Sequence, residues 1–303
     1  MPSTTPTTTS PSCEPSPLPM IRLDAATVLL QWAVGGLFFC WVTTRRREVS
    51  LGYGWLLRGT YGLIALGALV TGLRYGEPVP VRDVASAGVV LGALVALGVS
   101  VARRKAGVAG ERERVEASSA RVAAMTGIER QREARDTEAP EFPPRLDLIA
   151  PAIGLVGLIA AGVAAGDPAL LSVARVIVGA AFLGAVTDAM LLGHWYLVQP
   201  GMPRGPLLEL IRWLAWIWPF EVIVLLWPVG MGSVITGTID DGYNGILGWM
   251  WILCALFTIV LVGVTRAALR ERQYSAVMAA TGLLYLAILT AFGTDLVARA
   301  VLA

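Results

Sequence analysis

Eight apolar stretches of about 20 residues, close to the length that crosses a lipid bilayer as a helix, recur along the chain. They occupy residues 25–42, 55–73, 84–102, 148–165, 170–192, 207–229, 246–264 and 277–297. Hydrocarbon offers no water to a peptide group, so a spanning segment must satisfy its own backbone, and a helix does so internally. The expected fold is therefore all-α: a polytopic membrane bundle with about eight transmembrane helices. Composition agrees, with 55% hydrophobic and 15% charged residues, where soluble domains carry about a quarter charged.

Between these stretches the chain divides into residues 1–23, 24–102, 103–146 and 147–303. The first segment is rich in Thr, Ser and Pro and reads as a disordered extracytoplasmic lead-in. It lacks the basic start, short apolar core and cleavage site of a signal peptide, so the first span is expected to act as its own insertion signal. Segment 24–102 holds three spans, 103–146 is a charged helical loop, and 147–303 holds five spans. In the loop, Glu111 and Arg114, and likewise Glu129 and Arg132, stand at helical spacing. Val108, Val115, Val122 and Met125 give it a thin apolar stripe. It reads as a solvated helix lying along the bundle or the bilayer surface, or alternatively as a docking element for a partner.

Arginine placement gives orientation. Eighteen Lys and Arg fall on the side that carries this loop and five on the side of the termini, while Arg58 lies within a span. Both termini are thus expected outside the cytoplasm of a bacterial cell membrane. The bacterial assignment rests on an alanine- and arginine-rich composition with a single lysine. The segments "QWAVGGLFFCWVTT" (31–44) and "RVIVGAAFLGAVTD" (175–188) align and run in the same direction. They point to two four-helix halves, a duplication that recurs in transporters.

Ionisable groups inside lipid are costly unless paired or wet, so each asks for a reason. Ala180, Gly184 and Asp188 fall at i, i+4 and i+8. That small-residue stripe lets another helix approach and turns Asp188 toward protein. Arg58 lies at a compatible depth, and a structural Asp188–Arg58 pair is the simplest expectation, with a proton or solute contact on Asp188 as the alternative. Glu221 sits near the centre of the sixth span in "WIWPFEVIVLLWP", three residues after Trp218 and two after the helix-breaking Pro219. Arg175 is its nearest expected cation. Without a partner, Glu221 is expected to carry its proton. Asp295 and Arg299, four apart, read as an intrahelical pair at the outer interface.

His194, the one histidine, stands beside Trp195 and Tyr196 where the fifth span meets the turn "QPGMPRGP". An interfacial aromatic belt accounts for it. The sharper alternative is a contact to a quinone headgroup, or a haem shared with a partner. One histidine excludes a two-histidine haem within this chain. Cys13, Cys40 and Cys254 show no paired spacing, and no glycine-rich phosphate loop, HExxH, CxxCH or GxSxG occurs. The sequence thus requires no cofactor or metal and carries no motif for catalysis.

Two functional readings result. In the first, the chain is a non-catalytic subunit or accessory protein of a larger membrane complex, for instance a respiratory one. That reading rests on the tryptophan-rich sixth and seventh spans and the docking loop. In the second, it is a proton-coupled or small-solute transporter using Asp188 and Glu221. The expected partners are the lipid bilayer and other membrane subunits or further copies of the chain; nothing points to nucleic acid.

Overall fold

The computed structural model describes residues 24–126, 140–166, 168–199, 201–228, 230–271 and 273–302. Its helices are α1 (Ala25–Thr44), α2 (Leu51–Arg74), α3 (Pro80–Ala102), α4 (Ala109–Thr126) and α5 (Ile149–Ala165), followed by α6 (Ala169–Val198), α7 (Gly205–Leu226), α8 (Met231–Ile235), α9 (Ile246–Ala268) and α10 (Tyr274–Leu302). Short 3-10 turns precede α4 and α5, and no strand occurs among the described residues. Seven helices are long and apolar enough to cross a bilayer. The eighth long helix, α7, matches them with 22 residues but carries Glu209, Arg212 and Glu221. The chain is a multi-pass membrane protein built as an all-α bundle.

The eight long helices alternate in direction, so the start of α1 and the end of α10 share one end of the bundle, called here the terminal end. The opposite end carries α4. Local chemistry sets the boundaries. Asp24 caps α1 by accepting from the Ala26 and Thr27 amides (3.2 Å each). Proline opens α3 and α7, where its missing N–H costs nothing. Pro219 lies inside α7, which nonetheless continues to Leu226.

At the centre, α1 and α6 cross in backbone contact. A Cβ on Gly35 would lie 1.8 Å from the Ala180 carbonyl oxygen, and one on Gly184 would lie 2.2 Å from the Gly35 carbonyl carbon. Small residues make this approach feasible, as the stripe Ala180–Gly184–Asp188 implies. Around this seam the helices close two rings, α1–α2–α3–α5 and α6–α7–α9–α10, each a consecutive run of four long helices. Gly88, Gly92 and Gly162 also lie at close helix contacts, against Ile153, Ala150 and Val173 respectively.

At the opposite end, α4 is tied down by its first turn. The Gly110 amide donates to the Arg47 carbonyl (3.1 Å), and Arg112 bridges to Glu141 (2.5 Å). Val108 is buried and Val115 exposed, so this part of the valine stripe does not pack as one face. The lead-in 1–23, the Glu129–Arg132 pair and the Val122 and Met125 side chains lie outside the described residues and side chains.

Candidate functional site

Five buried side-chain atoms among the described residues lack a hydrogen-bond partner: Asp188 Oδ2, Glu221 Oε1 and Oε2, Trp251 Nε1 and Thr265 Oγ1. A buried polar atom without a partner is costly and asks for an explanation. Two carboxyl groups among five atoms, both on residues singled out by the sequence, identify where to look.

Glu221 is fully buried, in the last turns of α7. Its position corrects the expectation from the apolar run: α7 ends at Leu226 rather than at 229, so Glu221 is displaced from the centre toward the terminal end. The residues around it come from three other helices. On α10, Arg299 Nε donates to Asp295 Oδ2 (2.9 Å), the intrahelical pair read from the sequence. The pair is buried rather than interfacial, and it is tied to α1. Arg299 Nη2 donates to Gln31 Oε1 (2.8 Å), and Gln31 Nε2 donates to Asp295 Oδ1 (3.4 Å). Gly179 of α6 leaves the room, since a Cβ there would lie 2.3 Å from Gln31 Nε2 and 2.9 Å from Asp295 Oδ1.

The charged groups that act on Glu221 are Asp295 and Arg299. No donor reaches either Glu221 oxygen. Arg175 also lies at this depth, but it does not take up the pairing with Glu221 expected from the sequence; the cation acting on Glu221 is Arg299. Arg175 Nε donates to the Val224 carbonyl (2.8 Å). That carbonyl would ordinarily accept from residue 228, which is Pro228 and has no N–H to give. Trp251, with its unpartnered indole N–H, packs with Leu225 and Ala298 in the same layer.

A cavity of about 320 Å³ opens at the terminal end and reaches this cluster at Arg299. Its mouth is the α1 start and the α2–α3 turn, where Arg82 bridges to Asp24 and to Asp83 (2.9 Å). Its apolar wall is Ala161, Ala164 and Ala165 of α5 with Val176 of α6. A second cavity of about 450 Å³ between α1, α5 and α6 is lined wholly by apolar residues, among them Phe38, Leu155 and Ile177.

The other carboxyl, Asp188, is fully buried on α6 beside the α1–α6 seam. Tyr61 donates to its Oδ1, with the ring laid against Gly36, while Tyr53 donates to its main-chain carbonyl (3.3 Å). The expected Asp188–Arg58 pair is not formed. Arg58 turns instead to Asp147, before α5, in a two-pronged bridge of 2.7 Å on each arm. Asp147 also accepts from Thr44 (3.1 Å), and Ser100 accepts from Arg58 (3.3 Å) and Trp55 (3.0 Å). The planar guanidinium fork fits a carboxylate better than a single oxygen, and Asp147 presents both. The sequence reading placed Asp147 at the edge of a span and gave it no part.

His194 sits on the exposed flank of α6, with Nδ1 3.2 Å from Tyr285 Oη. Its neighbours do not join it. Trp195 Nε1 donates to Ser50 (3.0 Å), and Tyr196 turns inward to donate to the Pro203 carbonyl (2.5 Å). Consecutive helical positions point about 100° apart, so adjacent ring side chains diverge. Trp218, three before Glu221, ties α7 to α9 by donating to the Ala255 carbonyl (2.9 Å). The chain matches no protein-family model, no curated protein and no solved structure.

Proposed function

We propose that the chain is a proton-coupled transporter of a small solute and that Glu221 is its proton-handling carboxyl. The observation that carries this reading is the setting of Glu221: fully buried, reached by no donor among the described residues, and beside the Asp295–Arg299 pair, of which Arg299 lines an open cavity. A structural acid is held by donors. An acid that lacks them, next to a second carboxyl and a cation reachable from one side, is arranged to take up and release a proton. Asp188 is the second station on the path, with Tyr61 on one oxygen and nothing on the other. It lies 13 residues beyond Arg175 on α6, roughly 20 Å further into the bundle at about 1.5 Å per residue. Arg175 is the positioning cation, whereas Arg58, committed to Asp147, is structural. His194, Trp195 and Tyr196 belong to the interface with the bilayer headgroups, and no cofactor is assigned to them.

The arginine asymmetry supports placing the terminal end outside the cytoplasm of a bacterial cell membrane, so the cavity faces outward. The α1–α6 contact and the two closed rings support two halves related by duplication. The test is reconstitution into vesicles with an imposed proton gradient. Glu221→Gln keeps the shape of the site but cannot exchange a proton, so it is expected to abolish gradient-driven solute uptake while thermal unfolding in detergent stays close to wild type. Normal uptake by Glu221→Gln ends this mechanism.

A second reading, a non-catalytic subunit of a larger membrane complex, is favoured by a different observation. Trp216, Phe220 and Trp227 of the α7 segment and Trp249 of α9 all face outward, each more than half exposed. Large rigid aromatics of this kind anchor interfaces as well as lipid contacts. Intact-mass measurement after mild-detergent purification separates the two: stoichiometric companion polypeptides support the subunit, a lone monomer or homo-oligomer the transporter.

A further inference from the structure

The cavity at the terminal end has a chemically graded lining, and the grading points to a ligand. At its inner end is Arg299, 1% exposed. Its Nε is taken by Asp295 and one Nη2 hydrogen by Gln31, while Nη1 donates to no acceptor among the described residues. Arg299 lines the cavity, and Nη1 is the part of its guanidinium left for a ligand there. Two N–H donors on a fixed positive charge are thus presented to the cavity. Beside them lies Glu221, buried with neither oxygen held by a donor among the described residues, while Arg175 adds a second positive charge at the same depth. The inner end therefore favours an anion.

The mouth is different. Arg82 is also 1% exposed, but its fork is committed: Nη1 to Asp24, Nε to Asp83 and Nη2 to the Glu77 carbonyl (3.2 Å). Asp24 and Glu77 line the entrance with negative charge. A dianion pays for that passage twice over, whereas a monoanion with an uncharged body meets it once. Along one side the wall is Ala161, Ala164 and Ala165, small and apolar. A volume of about 320 Å³ lies at the small end of the ligand-site range of about 300–1,000 Å³.

We propose that this cavity is the binding site of a small monocarboxylate, its carboxylate received by Arg299 Nη1 and its short apolar body laid against the α5 alanines. The proposal names the substrate class for the transport reading above and rests on it. The contact also links solute to proton. An anion on Arg299 shares its positive charge with Asp295, and the donor-free Glu221 beside them is the acid at which a proton compensates.

The experiment is a thermal-unfolding titration of the full-length protein in detergent micelles at constant ionic strength, with sodium propionate as probe. Propionamide, of the same shape without charge, sodium succinate and sodium phosphate serve as comparisons. A saturable rise in Tm with propionate alone is expected, since a ligand bound to the native state stabilises it by mass action. Arg299→Lys keeps the charge but loses the forked donors, and is expected to weaken propionate about tenfold, the equivalent of one charge-assisted hydrogen bond. Should Arg299→Lys unfold, Ala164→Leu, at an exposed position of the wall, is expected to remove the propionate response while leaving the ligand-free Tm unchanged. The proposal is overturned if propionate gives no saturable shift, if propionamide, succinate or phosphate matches it, or if Ala164→Leu binds as wild type does. Binding needs no translocation, so the two claims fail separately. Propionate binding with Glu221-independent uptake sinks the proton mechanism and leaves the site, whereas Glu221-dependent uptake without propionate binding sinks the carboxylate and leaves the mechanism.

Discussion

Two buried ionic clusters sit at the two ends of this bundle and are built on opposite principles. Near the end that carries α4, Arg58 and Asp147 satisfy each other with two 2.7 Å arms, and Thr44 and Ser100 take up further valence. The Phe142 ring covers the guanidinium carbon at 4.3 Å. Near the terminal end, Asp295, Arg299 and Gln31 form a closed triangle, but Glu221 stands against it with both oxygens unsatisfied. The first cluster is finished, the second left open beside a cavity. The difference teaches that burial of charge does not itself mark a functional site: what marks it is unfilled hydrogen-bonding capacity that can be reached.

The comparison is broken or sharpened most strongly at Arg58. Arg58→Met strands a buried Asp147 and is expected to cost about 3–5 kcal/mol in unfolding free energy. Adding Asp147→Leu should recover most of that loss, because an apolar pair of similar volume replaces a matched ion pair. Unfolding titrations in mixed micelles measure both. If Arg58→Met instead unfolds no more easily than Glu221→Gln, the two clusters are alike and the division between structural and functional charge collapses.

Asp188 lies between these extremes, with one oxygen held and one not, and should respond in between. Tyr61→Phe removes the one donor to its carboxyl among the described residues and is expected to cost about 2 kcal/mol, the scale of a hydrogen bond to a buried acid. A loss as large as that of Arg58→Met would place Asp188 with the finished cluster. No loss at all would mean that its carboxyl draws nothing from the tyrosine and belongs wholly with the open one.

The bundle itself was legible in the sequence, because a bilayer admits so few backbone solutions that eight apolar runs fix the class of fold. The Ala180–Gly184–Asp188 stripe correctly turned Asp188 inward, since helix periodicity alone decides which residues share a face. Partner choice was not legible. Arg58 had two acids at suitable depth, and its pairing with Asp147 depends on how the turn before α5 folds under α2, a tertiary fact. Asp295 and Arg299 read as an intrahelical pair at the outer interface because i, i+4 spacing explains them without help. Their burial and their link to Gln31 come from α1 passing beside α10. One signal did exist. The matched segments 31–44 and 175–188 begin with Gln31 and Arg175, two polar residues inside otherwise apolar runs at the same repeat position. That coincidence marks the layer in which the cluster lies.

The smallest effect is expected at a third carboxyl, which the same comparison places at the satisfied extreme. Asp241, in the loop before α9 at the terminal end, accepts from the amides of Gly245 (2.8 Å), Tyr243 (2.9 Å) and Leu247 (2.9 Å). These backbone donors, Gly245 first, hold its pKa below the usual carboxylate value, so the ionised form is the one the folded loop prefers. The stabilisation is fully present above the unfolded value of about 3.9 and is lost as pH falls through the lower folded one. Asp241→Asn keeps an acceptor but removes the charge. Near neutral pH it should lower hydrogen-exchange protection of the Gly245 and Leu247 amides slightly, and the deficit should close on acidification as wild-type Asp241 takes up its proton. A deficit that stays constant with pH would show that the loop is held by its turn geometry rather than by the carboxylate. Asp241 would then no longer stand as the donor-rich counterpart against which the empty surroundings of Glu221 are measured.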